Sequence, residues 1–339
     1  FFFKQKTAYE MESRDWSSDV CSSDLAVKHK SEETRAVSRS GGIFTALSDE
    51  VLARGGVVYG CVLSKDFEAV HARAVDYETR NKMRGSKYIQ SKMGDTFRNV
   101  KGDLDAGREV IFSGTSCQVA GLKQFLGKDY ENLLCIDIVC HGVPSPKVWK
   151  AYLEWQERKN NSLIQSVDFR NKGKFGWRDH VETLTFLNSK SIDSKVFRSI
   201  FYGHAVLRSC CYECPYKSTV HPGDITIADY WGIEKAAPEF DENKGVSLVL
   251  VNNEHGKKSF DEIKKWVMWK ETKLEDSMQQ PFIAPFPKPD NRSQFWSDFL
   301  SNNDFKKFAI KYGGYGIGNK IKRKVQSILK KINTKKGEA

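Results

Sequence analysis

The chain reads as an α/β protein of mixed α+β type, a strand–turn–helix layer followed by an antiparallel patch that carries a cysteine-rich turn. Three observations predict it. Apolar runs typical of buried strands, such as VVYGCVL (57–63) and LLCIDIV (133–139), alternate with amphipathic helix-length segments between residues 43 and 159. Shorter strand patterns follow beyond residue 160, and the motif Cys211-Tyr212-Glu213-Cys214-Pro215 sits among them. The 339 residues, 40% of them hydrophobic, suffice for one large domain or two ordinary ones.

The opening string, residues 1–25 (FFFKQKTAYEMESRDWSSDVCSSDL), has neither helical nor strand periodicity and no signal-peptide layout. It resembles a translated sequencing-adapter artefact, so it is set aside with its Cys21, and the native N-terminus is expected upstream. From Ala26 a short polar lead ends in Ser38-Arg39-Ser40-Gly41-Gly42. A helix is predicted over 43–54, closed by Gly55-Gly56. Strand 57–63 then pairs with a hairpin partner over 67–75. Residues 81–90 (NKMRGSKYIQ) are polar and glycine-broken, hence a loop.

A helix over 95–104, strand 109–113, a turn at 114–117 and a helix over 118–126 come next. Strand 133–139 runs into Cys140-His141-Gly142, and a helix covers 147–159. The predicted strands of the second half are 166–171, 181–187, 195–200, 224–228 and 246–251. A helix over 260–269 and a loop with four prolines over 279–292 complete it. The predicted division is therefore 26–160 for the first α/β part, 161–300 for the part with the cysteine turn, and 301–339 for a basic tail.

The formal charge is +11, and residues 320–336 hold eight Lys or Arg with no acid. The excess is local, which argues against a broad nucleic-acid face. Ile317, Ile321, Val325, Ile328, Leu329 and Ile332 fall near one helical face, so the tail is expected either to lie on an anionic membrane surface or to pack on the body. No run of about 18 apolar residues is present, so no transmembrane helix is expected. A cytoplasmic location, or one peripheral to the inner membrane surface, is the expectation.

Eight cysteines in a long chain without an export signal read as thiols and metal ligands rather than disulfides. Cys211 and Cys214 can bind one metal centre from a single turn, with Pro215 keeping the chain off it. Cys117 follows a strand and opens a helix, where the dipole favours anions. Cys140 ends the next strand, at the sheet edge where open α/β folds hold ligands. Four thiolates from three loops make an all-cysteine set that either zinc or an iron–sulfur cluster accepts. Cys210 could take the place of Cys211. Cys61 and Cys135 lie within apolar strands and read as buried free thiols.

Ser40-Gly41-Gly42 at a helix start can present backbone N–H groups to a phosphate, or act as a plain cap. The loop Arg84–Ser91 adds cations, hydroxyls and the Tyr88 ring. The turns at Asn171–Trp177 and Asp229–Gly232 could line a planar cofactor or bury their tryptophans. No dinucleotide-fold or P-loop glycine motif is present.

Taken in order, SRSGGIFTAL, RGSKYIQS, GTSCQVAGL, CHGVPSPKVW, FRNKGKFGW, CYECP and DITIADYWG resemble the coenzyme F420 hydrogenase/dehydrogenase beta-subunit family, from about Ser38 to about Phe295. The resemblance implies an iron–sulfur flavoprotein oxidoreductase with FAD and a 4Fe-4S cluster. Electrons would pass between them and on to an organic acceptor, coenzyme F420 or another. It implies Cys117, Cys140, Cys211 and Cys214 as cluster ligands and puts Ser40, Gly41, Gly42, Lys87, Tyr88 and Gln90 in flavin-associated segments. It also implies an electron-donor protein such as ferredoxin, or a ferredoxin-like segment upstream, which this sequence lacks. Where the family has Thr-Pro-Cys, this chain has Thr115-Ser116-Cys117. The rival is a non-catalytic scaffold held by a four-cysteine zinc site.

Overall fold

Buried strands that alternate between two hydrophobic faces build the main sheet. On Val110, Ile111 and Phe112, and again on Leu133, Leu134, Cys135 and Ile136, successive side chains enter opposite cores. Leu248, Val249, Leu250 and Val251 do the same further along the sheet. This period of two is what a sheet covered on both faces requires. The computed structural model of the chain describes residues 23–301, 304–319 and 321.

The strands are β1 (Ser23–His29), β2 (Val57–Leu63), β3 (Ala69–Ala74), β4 (Val110–Thr115), β5 (Leu133–Ile138), β6 (Ile164–Asp168), β7 (Glu182–Phe186), β8 (Ser191–Ser194), β9 (Ile225–Asp229), β10 (Ser247–Val251) and β11 (Val267–Thr272). The main sheet has the order β11-β1-β10-β9-β5-β4-β2-β3, and β6-β7-β8 form a second, three-stranded sheet. Its central strands β2, β4, β5 and β9 are parallel, and the outer ones antiparallel. The predicted mixed α/β class is the observed one.

Helices Ile43–Ala53 and Glu254–Ile263 cover one face, and Thr96–Asp105 and Ser116–Leu126 the other. Val119 and Leu122 are fully buried; each such aliphatic side chain contributes roughly 1.5–3 kcal/mol. The second sheet packs with Pro146–Asn160, Val196–Tyr202 and Phe305–Tyr312 around Tyr152, Phe197, Phe201 and Phe308.

Among the elements that differ from the sequence expectation, three change the reading of the sheets. Residues 195–200 form a helix, Val196–Tyr202, not a strand. Val196, Phe197, Ile200 and Phe201 are its buried positions, a helical spacing that a reading stopped at Ile200 could not complete. The helix predicted over 260–269 is Glu254–Ile263, and Val267–Thr272 is strand β11. Phe260, Ile263 and Val267 keep a helical spacing in the sequence, but pairing with β1 overrides it. Strand β1 itself was not foreseen. It takes in Ser23, Asp24 and Leu25, the last residues of the opening string, and it joins β10 to β11. Except for 317–319 and 321, the amphipathic stretch of the tail lies outside the described residues, as does Cys21.

One buried carboxyl gives the fold a pH signature. Glu182 of β7 is 0% exposed; its Oε1 accepts from the backbone N–H of Arg198, and its Oε2 has no protein partner. Burial pushes its pKa from 4.5 up to about 8. The folded chain therefore holds a proton that the unfolded chain has lost between those values. Stability should fall as pH rises through that window, by at most about 1.4 kcal/mol per pH unit. Urea unfolding of Glu182→Gln should lack this slope; a slope equal to that of the parent would refute the assignment.

Candidate functional site

The ends of β4 and β5 start the site. Thr115 and Ile138 are paired in parallel register, so the chain leaves both strands at the same sheet edge. Cys117 lies in the first turn of helix Ser116–Leu126. A capping box fixes that turn: the Thr115 N–H donates to Gln118 Oε1 at 2.9 Å. Ser116 is therefore accommodated as an ordinary first helical residue where the family pattern has proline. The Thr115 hydroxyl is 3.1 Å from Cys117 Sγ.

Cys140 follows β5 in a loop held to the chain before Cys211. The Ser145 N–H donates to Val206 O at 3.1 Å and the Arg208 N–H to Val143 O at 3.0 Å. At Gly142, with φ +134°, a side chain would strike Leu207 at 2.9 Å, so glycine permits this approach. Cys211 and Cys214 then share a short 3-10 turn, Ser209–Glu213, with Cys214 as its cap. Arg292 braces it from a distant helix, donating to the Tyr212 hydroxyl at 3.0 Å and to Leu207 O at 3.1 Å.

The four thiols lie within mutual electrostatic reach. Burial pushes Cys140 up to about 12 and Cys211 up to about 11, each raised further by neighbouring thiols including Cys117. Cys214 is raised by the same causes. Lys217 donates from Nζ to Cys140 O. Burial lowers its pKa, while all four thiols pull the other way. Cys117 is exposed, and Cys140, Cys211 and Cys214 are half-buried. Among the described residues no three His, Cys, Asp or Glu side chains converge as ligands of a single ion would. Cys135 is fully buried, as expected. Cys61 is not: it is half-buried and faces the cleft described next. Cys210 is exposed and lies outside that cleft's lining.

A cleft of about 460 Å³ opens beside these loops, a size usual for cofactor sites. Cys117 and Cys140 line it together with Ser40, Gly42, Lys87, Tyr88 and Gln90. Gly41 does not line it. A side chain there would meet Val27 O at 2.1 Å, and its N–H donates to Ser247 Oγ at 3.0 Å. Gly41 thus lets the Ser40–Gly42 segment press onto β1 and β10. The loop Arg84–Ser91 lines the cleft along its length and is tied to the Cys140 loop by Gln90 N–H to Pro144 O at 3.2 Å. Tyr88 packs on His180, with ring centres 4.6 Å apart.

The lining is cationic: Arg39, Arg84, Lys87, Arg170 and Arg208 line the cleft against the one carboxylate of Asp229, which pairs with Arg39 and Arg170. Asp229 organises one end. It accepts from Arg170 at 2.9 Å and Trp177 Nε1 at 2.9 Å. Trp177 is buried and stacks at 5.0 Å under Trp231, which lines the cleft. Of the two aromatic turns, the one at Asp229–Trp231 is therefore at the cleft wall. Arg39 is held by Arg170 O and Trp177 O, with its Nε buried and without a hydrogen-bond partner. His71 and His141 complete the wall; burial draws them down to about 4 and about 3.

Sequence reasoning missed Arg39, Arg170, His71, Gln118 and His221. Arg39 and Arg170 sit inside motifs quoted for the family, so their signal was present. Asp137 also carried one, as an acid within an apolar strand. It is 0% exposed and accepts from Thr226 Oγ1 at 2.6 Å, with His221 Nδ1 at 2.8 Å. Ser116 Oγ is 3.3 Å from the same nitrogen, so this group ties the Cys117 turn to β5 and β9.

Fold and cleft together define a mixed α/β protein with a cationic cofactor-sized cleft lined by Cys117 and Cys140, beside the turn that carries Cys211 and Cys214. A family model for the C terminus of the coenzyme F420 hydrogenase/dehydrogenase beta subunit matches residues 107–277. The chain belongs to this family, which is one of redox proteins. In fold it is similar to a chain of the F420-reducing NiFe hydrogenase complex from Methanosarcina barkeri, at 15% identity and a TM-score of 0.52, over 76% of this chain and 84% of that one. No curated protein matches the sequence. Among the described residues no helix is long and apolar enough to cross a membrane.

Asp137→Ala should leave the Thr226 hydroxyl proton without its acceptor and His221 Nδ1 with only the 3.3 Å contact to Ser116 Oγ, at a cost of about 1–3 kcal/mol. Urea unfolding measures it. A loss well under 1 kcal/mol would show that this group does not hold the turn.

Proposed function

We propose that the protein is an iron–sulfur flavoprotein oxidoreductase in which Cys117, Cys140, Cys211 and Cys214 hold a 4Fe-4S cluster and the cleft holds FAD. The observation that carries this reading is that Cys117 and Cys140 line the same cleft as Ser40, Lys87, Tyr88 and Gln90. The donor set fits a cluster in its chemistry: all four donors are thiols, and all four act electrostatically on the Lys217 ammonium. When bound, the cluster supplies single electrons and the flavin a ring that collects two and exchanges them with an organic acceptor.

The chain's own residues bind and orient. Arg39, Arg84 and Arg170 supply positive charge to a dinucleotide's phosphates, and guanidinium groups suit that task. Arg39 Nε, buried, without a hydrogen bond and 3.8 Å from Asp229 Oδ2, is a donor that a bound anion would satisfy. The Tyr88 and Trp231 rings offer apolar faces for a planar ring. Cys117, exposed at the surface, makes the thiol cluster reachable by a donor of ferredoxin type. Coenzyme F420, named in the family's description, is the first acceptor to assay.

Anaerobic reconstitution of single variants tests the assignment. Cys117→Ser, Cys140→Ser, Cys211→Ser and Cys214→Ser should each lose most of the bound iron and sulfide, and Cys135→Ser should lose none. Full iron in Cys214→Ser would refute the ligand set. Stoichiometric zinc in a colourless, flavin-free protein would favour a structural metal site instead.

A further inference from the structure

A flavin that takes up an electron pair must also take up a proton, and single electrons arriving through a cluster bring none. We infer that the Lys87 side chain is the proton donor of the cleft, an inference that rests on FAD being the occupant. The geometry of the lining groups leads there. The guanidinium groups of Arg39, Arg84, Arg170 and Arg208 do not release protons. His71 has both ring nitrogens engaged, Nδ1 with Ser91 Oγ at 3.0 Å and Nε2 with Ser113 O at 3.2 Å. His141 Nε2 is turned to His204 Nε2 at 2.9 Å. Tyr88 accepts from Arg170 at 3.2 Å, and Asp229 accepts from Arg170 and Trp177.

Lys87 differs from all of these. Its Nζ donates to Lys82 O at 2.9 Å and to Arg84 O at 2.8 Å, from within the cleft wall. An ammonium has three N–H groups, so one is left over. When that proton departs, the two remaining N–H groups keep both carbonyls and the lone pair takes the vacated direction. The amine thus stays in place through loss and regain of a proton. The titratable side chain acting on it is Cys61 of β2, whose own thiol burial pushes up. Burial pulls the Lys87 ammonium down to about 8, near the working pH that general acids favour.

The step balances. An iron–sulfur donor supplies two electrons in succession. The N–H bond of the Lys87 ammonium breaks, and its proton joins the reduced ring. Neutral Lys87 remains and regains a proton from solvent, which reaches the exposed Lys82 to whose carbonyl Lys87 donates.

Two experiments on the full chain test this. Competitive acetylation with acetic anhydride across pH, read by mass spectrometry with and without FAD, should give Lys87 half-maximal reactivity near pH 8. A midpoint near that of an exposed lysine, about 10.4, would overturn the inference. In the anaerobically reconstituted protein, Lys87→Arg should keep FAD but lose turnover roughly a hundredfold or more, together with the pH break near 8. Small primary amines should restore turnover to Lys87→Met. An unchanged pH profile in Lys87→Arg would overturn the donor role. So would loss of FAD with normal turnover per remaining flavin, which would make Lys87 an anchor. Parent protein that never binds FAD would sink the functional reading itself.

Discussion

The parallel pairing of β4 with β5 is the constraint on which the site depends. Six register pairs, from Val110 with Leu133 to Thr115 with Ile138, bring two chain exits to one sheet edge. Parallel strands need a crossover between them, and helix Ser116–Leu126 supplies it. A cysteine at the start of that crossover and another just past β5 must then lie close together. The Asp137 group fixes the same edge from inside, because its carboxylate is linked to both Thr226 of β9 and His221. The C-x-x-C turn arrives from the second half of the chain, pinned by the bridge between Pro144 and Leu207.

Charge is managed by the same economy of contacts. Five basic side chains crowd one cleft, and burial works against several of them. Asp229 offsets part of this, as do backbone carbonyls: Arg39 and Arg170 both reach Trp177 O, and Lys87 reaches two carbonyls of its own loop. Carbonyl oxygens satisfy donors without neutralising their charge, so the cleft keeps a positive field for an anionic occupant. On the proposed reading, the phosphates of a dinucleotide complete that balance, and the cluster's iron does so for the four thiols.

Much of this was legible in the sequence because it depends on local pattern. The strand–helix alternation from Val57 to Asn160, the paired hairpin β2–β3 and the cysteines at strand ends all follow from periodicity and punctuation. What was not legible depends on distant pairing. Strand β1 exists because β10 and β11 flank it, and β11 is a strand although its flanking apolar residues keep a helical spacing. Cys61 sits in VVYGCVL, which reads as a buried strand; its place on the cleft wall comes from the loop Arg84–Ser91, whose residues line the same cleft. Lys217 and His221 carry no motif, and their importance comes only from the side chains that the fold brings to them.

The account's central claim is that a flavin cleft and an iron–sulfur cluster share one wall. Electron paramagnetic resonance of the anaerobically isolated chain, reduced with dithionite while flavin absorbance is followed, tests it directly. The account predicts a signal from a reduced iron–sulfur cluster and bleaching of stoichiometric FAD in the same sample. A silent spectrum from a protein that carries neither iron nor flavin after reconstitution would contradict it.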